Sequence, residues 1–175
     1  MQVVDKALET EYVGRDFLTW LWFKSETGEG RFRLDKAGDV ELWFDGPVTL
    51  QSEGSAGAEK VVCSNEALTE ARFALTEGRK VVKATIRVKA GEDEWVCGLD
   101  SLWLNFRGVR LPKTVKEKEE DREGIFYERA FLIERLVGIM DEFFALFLKL
   151  RLSGRWREEE FPLLKAWVNG SSNTE

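Results

Sequence analysis

Hydrophobic and polar positions alternate most regularly between residues 79 and 99. Val82, Ala84, Ile86 and Val88 alternate with Lys83, Thr85, Arg87 and Lys89, the two-residue period of a strand with one apolar and one basic face. A turn at Ala90-Gly91-Glu92-Asp93 leads to a second strand-like run, Trp95-Val96-Cys97. Upstream, residues 17–23 are apolar except for Thr19, and Phe17, Trp20, Leu21 and Lys24 fall at helical spacing behind Asp16 as N-cap. This run is too apolar for an exposed helix face, so it is expected to pack on both sides or to reach a partner. Thr27-Gly28-Glu29-Gly30 is the expected stop.

Short strands are expected at Arg31–Leu34, Val40–Phe44, Pro47–Leu50 and Lys60–Cys63, the first three forming a meander through turns at Lys36–Asp39 and Asp45-Gly46. Residues 51–58 read as a polar loop. Asn65 is expected to cap a helix that runs to about Thr76 and stops before Gly78. Ser101–Leu111 is expected to continue the sheet, with Leu102, Leu104 and Phe106 alternating. Residues 112–121 read as a solvated charged linker.

A long helix is predicted from about Arg122 to Arg151. Leu132, Leu136, Ile139, Met140, Phe143, Phe147 and Leu150 form its stripe, and Ile133, Val137, Phe144 and Leu148 widen it. So apolar a helix is expected to need cover on most of its circumference, yet its recurring charges exclude a membrane span. A shorter amphipathic helix, Arg157–Val168, and a polar tail follow. The expected fold class is α+β: a twisted, mainly antiparallel sheet covered by helices. Residues 1–111 are the expected sheet domain, 112–121 the linker, and 122–175 a helical segment packing on the sheet or on a partner.

The aromatic content, 12 Phe and 7 Trp in 175 residues, supplies material for a core. Trp20, Trp22, Trp43, Trp95 and Trp103 sit at helix and strand spacings that read mainly as core. The chain has no histidine, which removes His-based general-base catalysis and His metal ligation. Cys63 and Cys97 make neither a CxxC nor a zinc spacing and are expected as buried free thiols of a reducing cytosol. Carboxylates cluster in solvated runs rather than converging. No enzyme, cofactor, metal or small-molecule substrate is therefore expected. The start of the chain lacks a signal-peptide pattern, and a cytoplasmic protein is the expectation.

Charge changes the picture locally. The net charge is −6, yet Arg79, Lys80, Lys83, Arg87 and Lys89 follow one another with no acid among them. One reading is the solvated face of a half-buried strand; the other is a strip that neutralises phosphates. An acidic total does not prevent the second, because charges are screened beyond about 8 Å in physiological salt. Arg72 on the preceding helix extends the same surface, and Arg110, Lys113 and Lys116 make a weaker cluster.

The segment Glu77-Gly78-Arg79-Lys80-Val81-Val82-Lys83, with the Val96-Cys97 strand leading to Phe106, resembles the C-terminal half of the recombination-associated RdgC family. The similarity continues through Asp121-Arg122-Glu123 and the helix to Leu148, and covers most of residues 14–150. It implies homodimeric rings that encircle double-stranded DNA without sequence preference and restrain the RecA recombinase. The family's basic positions fall on Arg79 and Lys83, and less closely on Lys60. Its N-terminal half has no counterpart in these residues, so a ring would need an N-terminal partner chain or domain. The resulting expectation is a nucleoid-associated homodimer that binds duplex DNA through Arg79, Lys80, Lys83, Arg87, Lys89, Lys60 and Arg72. Phe143, Phe147, Trp20 and Trp22 are the expected interface residues. The alternative is a protein-interaction or dimerisation module with no DNA binding of its own.

Overall fold

In the computed structural model the protein is described over residues 2–52, 61–63, 68–102, 104–113 and 122–170. In chain order these form α1 (Gln2–Thr27), β1 (Arg31–Leu34), β2 (Gly38–Gln51), β3 (Val61–Cys63), α2 (Leu68–Thr76), β4 (Lys80–Ala90), β5 (Asp93–Asp100), β6 (Asn105–Arg110) and α3 (Arg122–Arg151). A π-helical turn at Trp156–Glu160 then leads into α4 (Phe161–Val168). The expected cap Asn65 and residues 114–121 of the expected linker lie outside the described residues.

The strands form one six-stranded sheet in the order β1-β2-β4-β5-β6, with β3 beside β2. All the strand pairs are antiparallel. β2 is one strand, not two. Asp45, Gly46 and Pro47 do not turn the chain but are absorbed as a bulge, since Phe44 pairs Ile86 and Val48 pairs Ala84. Pro47 has no N–H to give a ladder, and a bulge is where a strand tolerates it. β6 is shorter than expected: Leu104 takes a positive φ of 48°, which ends the alternation expected from Leu102.

α1 begins well before the expected cap. Residues 2–13 contain neither Gly nor Pro, and Asp16 lies inside the helix, ion-paired at 2.6 Å to Lys80. Its apolar run packs on both sides. Trp22 stacks near Phe44 of the sheet, with ring centroids 5.9 Å apart, while Phe17 meets Phe147 of α3 at 5.5 Å and Trp22 meets Trp167 of α4 at 5.3 Å. Thr19, the polar break in the run, is buried: its hydroxyl donates to the Arg15 carbonyl and accepts the Val81 N–H of β4. The Trp20 indole N–H donates to Glu160 at 2.9 Å, and Lys24 pairs the same carboxylate at 3.1 Å.

The structure corrects the expected interface. Phe143 and Phe147 are 0% exposed, and Trp20 and Trp22 are 1% exposed, all inside this chain's own core. They answer one another: Trp20 packs on Phe147 at 5.4 Å, and Phe143 on Phe32 of β1 at 4.8 Å. Nor is α3 covered around most of its circumference. Its buried residues are Leu132, Leu136, Ile139, Met140, Phe143 and Phe147, one stripe, while Ile133 and Val137 are exposed. Polar contacts among the described residues fasten α3 to the sheet. The Trp95 indole donates to the Leu132 carbonyl at 3.1 Å, Arg135 pairs with Asp93, and Glu142 accepts the N–H groups of Lys36 and Ala37 at 2.8 and 3.0 Å.

Gly14 lies where α1 crosses the end of β5, and a methyl group there would fall on the Ser101 carbonyl. Alanine gains about 1 kcal/mol of helix propensity over glycine. A clash with backbone in a packed layer costs about 1–3 kcal/mol, and the obstacle is not a flexible side chain. Gly14→Ala is therefore expected to lower the melting temperature in a thermal denaturation measurement; an unchanged or raised value would contradict this packing. Phe147→Glu is expected to unfold the chain rather than to separate subunits, which circular dichroism distinguishes from dissociation.

Candidate nucleic-acid interface

The alternation of β4 is observed. Ala84, Ile86 and Val88 are buried in the core under the helices, and Lys83, Thr85, Arg87 and Lys89 point to the other face. At the start of the strand Val81 joins the core in place of the expected Val82, because the register with β2 shifts between Thr49 and Leu50. The register sets what lies beside them. On the β2 side, Lys83, Arg87 and Lys89 face Thr49, Trp43 and Glu41; on the β5 side they face Asp100, Val96 and Glu94. The strip is free of acids along the chain but not across it.

Each of its cations has a carboxylate. Lys83 lies 3.4 Å from Asp100, and Lys89 lies 4.0 Å from Glu41. The Arg87 Nε–H donates to Asp45 at 2.8 Å, and its guanidinium reaches Glu94 at 3.1 Å. The Asp45 hydrogen bond, reinforced by that carboxylate's charge and by Glu94, raises the Arg87 pKa further. Cross-strand pairs of this kind are invisible to a count along one strand.

The remaining predicted residues separate from this face. Lys80 turns to Asp16 of α1, and Arg72 of α2 pairs with Glu26 at the other end of the same helix. Arg79 lies 3.2 Å from Glu77 and its side chain is largely buried. Lys60 lies outside the described residues.

Two arginines of β6 join the face instead. Gly98 pairs Arg107 and Val96 pairs Arg110, so two steps along β5 match three along β6. Gly108, at φ 57°, lies within this bulge. The extra residue brings Arg107 and Arg110, which a regular strand would send to opposite faces, onto one. With Arg87 they rim a groove of about 480 Å³ that Gly46, Thr85, Gly98 and the β2 bulge also line. A Cβ on Gly46 would come within 2.6 Å of the Thr85 Cβ, so glycine there keeps the floor low. Arg107 lies 3.2 Å from Asp100, whereas Arg110 is exposed and has no ion pair among the described residues. Arg110 was legible as part of a basic cluster. Arg107 was not, and the glycine between two arginines was the available sign of a bulge.

Comparison with family models, with curated proteins and with solved structures found no match to this chain. No helix among the described residues is long and apolar enough to cross a membrane.

Both cysteines are buried and unpaired, as expected. Cys97 lies beneath the groove, and burial raises its thiol pKa from 9.0 to about 11. Cys63 is also raised, by burial and then by Glu70. A raised folded-state pKa favours the protonated, folded form. The Cys97 contribution to stability is thus present below pH 9.0 and lost as pH rises toward about 11. At pH 8 both thiols are expected to resist a thiol reagent until denaturant is added; rapid labelling of the native chain would contradict their burial.

Proposed function

We propose that this chain binds double-stranded DNA without sequence preference through the outer face of its sheet, as a cytoplasmic, nucleoid-associated relative of RdgC that restrains RecA. The observation that carries this reading is the bulge that gathers Arg107 and Arg110 beside Arg87 around one groove. Lys83 and Lys89 flank it on β4, and Arg31 and Arg33 of β1 extend the same face opposite Glu41 and Asp39. Exposed ion pairs contribute only about 0–1 kcal/mol each, so phosphates can displace Glu41 and Glu94. They can join the exposed outer sides of Lys83 and Arg107 while the buried Asp100 keeps its place between them. Arg110 needs no such exchange among the described residues. Phosphate contacts alone give affinity without base reading.

Lys83 remains a contact in this reading. Arg79, the family's other basic position, does not, because its side chain is largely buried beside Glu77. A duplex titrated at several salt concentrations is expected to show affinity falling with a log–log slope of roughly −2.7 if three arginines meet phosphates. Arg107→Glu with Arg110→Glu is expected to flatten that slope and weaken binding more than tenfold, while Arg79→Glu leaves the slope unchanged. Absence of binding at low salt would sink the reading.

The second reading, an assembly module that binds no DNA, is favoured by a separate observation: the first turns of α3 are uncovered, with Phe126, Tyr127 and Phe131 all exposed.

A further inference from the structure

From Arg122 to Phe131 no side chain of α3 is buried, and the first to enter the core is Leu132. Along this outward half, Phe126, Ala130, Ile133 and Val137 recur at intervals of four, three and four residues, the seam of a two-stranded coiled coil. All four are exposed: Phe126 67%, Ile133 47% and Val137 38%, with Ala130 in the same class. The same spacing continues through Met140, Phe144 and Phe147, where the chain's own core takes it up. The seam therefore begins uncovered and ends enclosed.

Charge identifies what covers it. Arg129 and Glu134 flank the seam on opposite sides; both are exposed and neither has an ion pair among the described residues. They are five residues apart, the separation at which flanking positions meet across two parallel helices in register. In an antiparallel pair the Arg129 flank of one helix would face the Arg129 flank of the other, so Arg129 would not meet Glu134. Ala130 allows the two backbones to approach, while Phe126 and Ile133 fill the layers on either side.

From this we infer that α3 pairs with α3 of a second copy, parallel and in register, through its outward half. Arg129 of each copy meets Glu134 of the other. The helix needs no separate ordering, because the turns that carry Ile133 and Val137 are held on their other side by the Trp95–Leu132 hydrogen bond and by Arg135 on Asp93. This inference gives the assembly reading its partner, and it stands whether or not the outer sheet face binds DNA.

The test is sedimentation of the full chain over a concentration series, with Ile133→Glu and Arg129→Glu beside it. The native chain is expected to dimerise, Ile133→Glu to weaken the dimer more than tenfold, and Arg129→Glu with Glu134→Arg to recover what Arg129→Glu alone loses. Ile133→Cys is expected to give a disulfide-linked dimer on mild oxidation, because parallel pairing sets position 133 against itself while Cys63 and Cys97 are buried. These positions are exposed, so circular dichroism should be unchanged in each variant. A monomer throughout the series, or a dimer indifferent to Ile133→Glu, would overturn the inference. So would a dimer that position 133 fails to cross-link. Duplex titration of the Ile133→Glu chain separates this outcome from failure of the DNA reading.

Discussion

The burial of α1 is the constraint on which the rest of the structure depends. From Phe17 to Phe23 the helix has no solvent face, with the sheet on one side and α3 and α4 on the other. A helix so placed forces every polar group on it to find a partner inside the protein. Thr19 finds the Val81 N–H, and the Trp20 indole finds Glu160, itself neutralised by Lys24. Those contacts fix where β4 starts and where the π-helical turn before α4 must sit. At its outer turns Asp16 draws in Lys80 and Glu26 draws in Arg72, so two cations of the apparent basic strip belong to the assembly of the core.

That requirement also leaves the sheet with one free face. With the helices on a single side, the outward residues of β4 meet only their neighbours on β2 and β5, and the register supplies them with acids. The face is then a mixed ladder in which most charges are locally balanced. The bulges of β2 and β6 disturb the balance at one place, where glycines lower the surface and three arginines converge. Irregularity in the ladder makes this place different from the solvated face of an ordinary strand.

α3 serves two surroundings with one sequence pattern. Its inner half supplies the aromatic layer over α1, and its outer half carries the same spacing into solvent. Phe143 and Phe147 were reasonable interface residues on pattern alone, since a helix apolar on several sides must be covered by something. The pattern does not say which part of the helix reaches the core.

Local rules made much of this protein legible in its sequence. The period of two in β4, the stop at Gly78, the bounds of α3 and the burial of the cysteines all follow from spacing, side-chain size and the conformational freedom of glycine. The start of α1 was missed because Asp16 resembles a cap while residues 2–13 contain nothing to stop a helix; Asp16 instead answers Lys80, a residue 64 positions away. The single β2 strand was missed because Asp45-Gly46 is turn chemistry that β4, pairing on both sides of it, overrides as a bulge. Hydrophobic period and turn residues act over a few positions, so the sequence determined the type of most elements and which face of each is apolar. Ion-pair partners, bulges and the choice of what covers α3 depend on residues brought together from far apart, and only the tertiary structure decided them.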